Sequence, residues 1–232
     1  MITPFDWQEG IGHRHSYVKS RLEAGTPVLM VSIRDGVLAM AMRRQARKIY
    51  EVYDRLIFGA VGQQSDVEML RVASIDFAHQ EGFNRSEDDV TIARVVSAMS
   101  QPLKRAFGDF NTAPFVVQAV FAEVGDTPEQ DQYYLLDFDG DFSVHRDVGF
   151  LAPDDEAQAR LYEALKGESW TGKSVDEALT KLQEIWLLGL DPSGETKLED
   201  VAANLTVEAA LLRRAPGLVR RYEPVGPSAS QP

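Results

Sequence analysis

Gly25-Thr26-Pro27-Val28-Leu29-Met30-Val31-Ser32-Ile33-Arg34-Asp35-Gly36-Val37-Leu38-Ala39-Met40-Ala41-Met42 and, after a basic connection, Lys48-Ile49-Tyr50-Glu51-Val52-Tyr53-Asp54-Arg55-Leu56-Ile57-Phe58-Gly59-Ala60-Val61-Gly62 decide the fold. Val28–Ile33 and Val37–Met42 are apolar runs separated by Arg34-Asp35-Gly36. Asp-Gly between such runs is a strong hairpin signal, because it supplies the backbone conformations a tight turn needs. Both runs are almost continuously apolar, which predicts strands buried on both faces. A second pair, Lys48–Val52 and Leu56–Val61, flanks Tyr53-Asp54-Arg55.

Outward from this stretch the periodicity changes. On the N-terminal side, residues 1–10 contain Pro4 and Gly10 and read as a mobile arm. Tyr17, Val18 and Leu22 then recur at helical spacing, giving a short helix from about His13 to Ala24 that Gly25 stops. On the C-terminal side, Ser65 and Glu68 have the spacing of a capping box ahead of a helix reaching about Gly82. A second helix starts at Asp88 or Asp89, and Pro102 is expected to kink or break it. Phe115–Val124 reads as a buried strand, and Tyr133–Phe138 and Phe142–Val148 as a hairpin around Asp139-Gly140. Pro153–Lys166 reads as a helix, and Ser174 with Glu177 caps another carrying Leu179, Leu182, Ile185 and Trp186. Val201–Leu212 reads as a long strand, with Val219–Tyr222 a further short one, and Gly226–Pro232 has the composition of a disordered tail. Blocks of strands alternating with pairs of helices predict an α+β, four-layer αββα sandwich. The domain reading is an arm and helix over 1–25, the sandwich over 26–224 and a tail over 225–232.

The chain has 232 residues, 44% hydrophobic and 26% charged, enough for one normal core without a metal or disulfide staple. It has no cysteine, which excludes disulfides, thiolate metal sites and a cysteine nucleophile. A net charge of -12 argues against nucleic acid or an anionic membrane surface as partner. No secretory signal or membrane-spanning run is evident, so the expected location is cytoplasmic. Two basic clusters stand out against the acidic background: Arg43, Arg44, Arg47 and Lys48, and Arg213, Arg214, Arg220 and Arg221.

Lys48-Ile49-Tyr50, Asp54-Arg55 and Ala60-Val61-Gly62, in this order after Gly25-Thr26-Pro27 and Asp35-Gly36-Val37, resemble the proteasome subunit family, over about residues 12–223. The resemblance implies the N-terminal-nucleophile hydrolase sandwich. In the family's β type a threonine freed by cleavage after glycine attacks the peptide carbonyl, assisted by its own amine, a lysine and an orienting acid. The α type keeps an N-terminal extension with a short helix and forms a seven-membered ring that gates the chamber and docks activators.

Thr26 and Lys48 stand where the β-type nucleophile and lysine would be. The acid should lie sixteen residues after the threonine, where Met42 stands between Ala41 and Arg43. The Gly-Ser-Gly loop that supports the β site should follow Phe142–Val148, where Gly149-Phe150-Leu151-Ala152-Pro153 has no serine. Residues 1–25 keep a helix, and the connection from Met42 to Lys48 is short, as in bacterial α subunits. The reading is therefore a non-catalytic, bacterial-type α subunit, with a self-processed threonine protease using Thr26 and Lys48 as the alternative.

For an α subunit the resemblance gives Lys48 a second role, pairing with the C-terminal carboxylate of a ring-shaped activator ATPase. Lys48 precedes Gly62 by fourteen residues, as in the family's pocket, and Gln63 stands where leucine is frequent. The gate would be Met1, Ile2, Thr3, Pro4, Phe5, Asp6 and Trp7. Expected partners are further copies of the chain in a heptameric ring, β-type subunits and the ATPase. No cofactor or metal is expected: His13 and His15 lack a third ligand, and Asp137, Asp139 and Asp141 surround a hairpin turn too short for a calcium loop.

Overall fold

The computed structural model describes residues 4–191, 196, 200–201, 204–215, 217 and 220–226. The chain begins with helix α1 (Pro4–Leu22) and the strands β1 (Val28–Ile33), β2 (Gly36–Arg43), β3 (Ile49–Tyr53) and β4 (Leu56–Gly62). Helices α2 (Gln64–Asn84) and α3 (Ile92–Gly108) lead into β5 (Val117–Glu123), β6 (Gln132–Leu136), β7 (Phe142–His145) and β8 (Val148–Leu151). Helices α4 (Asp155–Lys166) and α5 (Val175–Leu188) precede β9 (Thr206–Arg213) and β10 (Tyr222–Val225).

The strands form two antiparallel five-stranded sheets, β10-β9-β2-β1-β8 and β3-β4-β5-β6-β7. β1 pairs with β2 from Val28↔Ala41 to Ile33↔Gly36, closing the expected hairpin. Alternation along β1 explains its unbroken apolar run. Val28 and Met30 point into the core between the sheets, while Leu29, Val31 and Ile33 face Leu182, Ile185 and Trp186 of α5. Leu56, Phe58 and Ala60 of β4 pack under α2 and α3 with Val67, Val95 and Val96, and Ile57 and Val61 face the inter-sheet core. The result is the expected αββα sandwich.

A buried polar clamp ties the sheets together at the end of β1. Asp131 is fully buried and receives both Arg214 terminal nitrogens at 2.7 and 2.8 Å. Ser32 donates to Asp131 at 2.6 Å and lies 2.7 Å from the Tyr133 hydroxyl. Burial pushes the Tyr133 hydroxyl far above its ordinary pKa, so it stays a neutral partner. The second basic cluster is thus spent internally: Arg213 pairs with Glu223, Arg220 with Glu51 and Arg221 with Asp54.

Several expectations are corrected. The arm is helical from Pro4 onward, because proline suits a first helical turn and Gly10 lets the helix lie close against Phe110. A Cβ at Gly10 would come within 2.7 Å of that ring. Met1, Ile2 and Thr3 lie outside the described residues. Ser65 does not cap α2. The segment is clamped instead by Val116, whose carbonyl accepts from Gln63 N at 2.8 Å and whose amide donates to the Asp66 carboxylate at 2.8 Å. That starts the helix at Gln64, and Glu68 turns to Arg71. Pro102 leaves α3 unbroken, since it lies on the exposed face where a freed carbonyl can be hydrated. Phe142–Val148 is not one strand. The chain changes sheets at Arg146-Asp147, so β7 pairs with β6 and β8 with β1. Val201–Leu212 becomes strand only from Thr206, and the last strand lies at Tyr222–Val225 rather than Val219–Tyr222, so a tail begins no earlier than Gly226. Residues 227–232 lie outside the described residues.

Candidate functional site

The first basic cluster lines a cavity of about 390 Å³ where the segment after α1, the ends of β2 and β4 and the starts of β3 and α2 meet. Its walls include Thr26, Arg43, Arg44, Arg47, Lys48, Gly62, Gln64 and Leu205. Local constraints place Thr26, Lys48 and Gly62. Pro27 O accepts from the fully buried Trp186 indole at 2.8 Å, fixing the chain just after Thr26. Lys48 O accepts from Ala60 N at 3.0 Å, so the lysine sits at the mouth of the β3–β4 pair. Gly62 has φ 136°, and a Cβ there would fall 2.1 Å from Val116 O, so only glycine fits this corner.

Glu208 of β9 organises the cluster. Its buried carboxylate accepts from Lys48 N at 2.8 Å and Arg47 Nε at 3.1 Å, and Arg43 Nε lies 3.7 Å away. Arg47 also donates to the Tyr222 hydroxyl at 3.0 Å. One carboxylate thus serves Arg43, Arg47 and the Lys48 amide, and Arg44 lines the same cavity, which leaves it cationic. The Lys48 amine donates to Thr26 O at 2.8 Å and Oγ1 at 2.5 Å. Burial lowers its pKa to about 8, opposed by the Glu208 charge.

The sequence had named Thr26, Lys48, Gly62 and Gln63, and the structure brings the first three to one cavity. Gln63 is not among its lining residues; its side chain donates to Ser65 and Gln64 lines the wall instead. Glu208 went unrecognised, although a lone carboxylate in the apolar run Val207-Glu208-Ala209-Ala210-Leu211 signals a buried charge needing a cation.

The Thr26–Lys48 contact has the proximity of a nucleophile and its base, but its direction is wrong for attack. The Thr26 hydroxyl donates to the main-chain carbonyl of Met42 at 3.0 Å and accepts from Lys48. Where an orienting acid would stand there is a carbonyl, and the lysine donates a hydrogen bond to the hydroxyl rather than accepting one from it. Ahead of Thr26, Val18 and Leu22 of α1 are buried in the inter-sheet core, and Arg14 donates to Thr112 O and Ala106 O at 2.9 and 2.8 Å. Gly149-Phe150-Leu151 forms β8, so no loop of the β-site kind stands there.

An αββα sandwich that keeps a docked helix before its threonine and places methionine at the acid position defines a proteasome-type subunit without a working nucleophile. No protein-family model matches the chain. Curated relatives do. A proteasome subunit alpha of Kineococcus radiotolerans is 32% identical over 216 residues, covering 90% of this chain and 82% of that protein. One from Streptomyces scabiei is 31% identical over 227 residues, covering 96% and 88%. One from Streptosporangium roseum is 32% identical over 192 residues, covering 79% and 73%. The chain belongs to the bacterial proteasome α-subunit family, the non-catalytic subunits of the proteasome core.

Proposed function

We propose that this α subunit forms a seven-membered outer ring on a ring of β-type subunits, gates substrate entry with its first seven residues and docks a ring-shaped activator ATPase for ATP-dependent protein degradation in the cytoplasm. In this reading residues 1–25 are the gating arm and its helix, 26–225 the ring-forming sandwich and 226–232 a tail. The observation that carries it is Lys48, a partly buried amine opening on a cavity that Arg43, Arg44 and Arg47 make cationic. Such a site suits a terminal carboxylate, and its low-dielectric wall strengthens the pairing. Trp7, half exposed on α1, supplies an apolar group to the gate.

Two measurements test the reading. Electron micrographs of the chain expressed with its β partner should show seven-fold rings capping a second ring type; another symmetry refutes the stoichiometry. Lys48→Ala should weaken binding of an ATPase C-terminal peptide by roughly 30-fold or more, the loss expected for removing one partner of a desolvated charge pair. Unchanged binding would place docking elsewhere.

A further inference from the structure

The same cavity has the composition of an acyl-transfer site. We propose that Lys48 is a modification site, acylated without an enzyme by small acyl phosphates that enter the arginine-lined cavity. A lysine amine carries two hydrogens when neutral, and both have partners here in Thr26 O and Thr26 Oγ1. Both hydrogens of the neutral form are therefore satisfied, and neither bond uses its lone pair. Burial keeps a substantial neutral fraction near neutral pH. By contrast, hydrogen bonds or charges from Asp155, Tyr162 and Glu184 hold Lys19, Lys166 and Lys181 above the ordinary lysine range.

The cavity also selects the reagent. Arg43, Arg44 and Arg47 line it, and guanidinium groups match the geometry of a phosphate dianion. The lysine nitrogen attacks the acyl carbon, the C–N bond forms, and the C–O bond to phosphate breaks with its electron pair leaving on phosphate. The surplus amine proton passes to that phosphate, so nothing is oxidised or reduced. The charge acting on Lys48 is that of Glu208 on β9; Arg43 on β2 and Arg44 and Arg47 on the connection line the same cavity, and Tyr50 on β3 and Tyr222 on β10 bear on Arg47. The α2 wall and the 204–205 segment present Gln64, Val67, Asn204 and Leu205, none ionisable. Glu208 is thus the carboxylate whose charge opposes the lowering of the lysine pKa by burial. Acylation itself is independent of the docking reading. Only its consequence rests on that reading: an amide carries no charge, so the modified pocket would no longer pair with a carboxylate.

The test incubates full-length protein with acetyl phosphate and, separately, with the neutral ester p-nitrophenyl acetate, and follows each lysine by peptide mass spectrometry from pH 6.5 to 9.5. Lys48 should react on the order of tenfold faster than Lys19, Lys166 and Lys181 at pH 7.5, the larger neutral fraction outweighing the lower basicity, with a rate profile that bends near pH 8. Arg44→Ala should slow the acetyl phosphate reaction by roughly threefold more than the ester reaction, which feels the lost cation only through the lysine's protonation. Lys48→Arg should abolish the fast phase. Lys48 reacting no faster than the other lysines overturns the proposal, as does an Arg44→Ala effect that is absent or equal for both reagents. Peptide docking, measured on the same samples, fails or succeeds separately from the mass readout.

Discussion

The hydroxyl of Thr26 donates to the carbonyl of Met42 at 3.0 Å, and this bond separates an inert threonine from a reactive one. A carboxylate side chain at position 42 could accept a proton and orient neighbouring groups. A main-chain carbonyl can only hold the hydroxyl in place. Thr26→Ala should therefore leave the peptidase activity of the particle assembled with its β partner unchanged, and cost about 1 kcal/mol of stability for the lost hydrogen bond. Intact mass of the wild-type protein should show residues 1–25 retained; their removal would overturn the inert assignment.

The two serine caps give a matched pair. Ser174 accepts from Glu177 N and the Glu177 carboxylate returns a bond to Ser174 N, a complete capping box. Ser174→Ala should lower stability by about 1 kcal/mol in urea denaturation. Ser65→Ala, at a position that caps nothing, should stay within about 0.5 kcal/mol.

Arg214 is the cation of the clamp beneath β1. Arg214→Ala would leave the fully buried Asp131 carboxylate without its cation, and stability should fall by about 3–5 kcal/mol. Arg220→Ala, which breaks a solvent-facing pair with Glu51, should cost less than about 1 kcal/mol. Equal losses in calorimetry would show that the clamp carries no special weight.

Lys48 sets a pH signature. Its pKa falls from 10.5 to about 8 on folding, so between these values the unfolded chain binds more protons and stability rises with pH. The penalty for burying the charged amine is full below about pH 8 and gone above about 10.5, and amounts to at most about 3 kcal/mol. Lys48→Met removes the titration. The stability difference between Lys48→Met and wild type should shift in favour of wild type as pH rises from 8 to 10, and a difference independent of pH would show that burial does not depress the amine.

The strands around Asp35-Gly36 were legible because local turn chemistry and doubly buried apolar runs agree. The sheet change at Arg146-Asp147 was not, since Ser143, Val144, His145 and the residues after them alternate like a single strand and no glycine or proline marks the crossing. The Ser65–Glu68 pattern misled because two bonds to Val116, fifty residues away from Asp66, set the helix start. Thr26, Lys48 and Gly62 could be placed from spacing along one stretch. Glu208 could not, because it meets Lys48 across 160 residues of chain and only the β2–β9 pairing brings them together.

The docking of α1 has a mechanical consequence. Val18 and Leu22 anchor one end of the helix and Gly10 keys it against Phe110, so the helix behaves as an indexed shaft. Inserting one residue between Gly12 and His13 would turn everything N-terminal of it by about 100° and advance it about 1.5 Å. Trp7 would then face a different direction while the sandwich kept its place, and Gly10 would lose its seat on the Phe110 ring. The bearing of the N-terminal segment is thus set by counting residues along a shaft, not by the sequence of the segment itself.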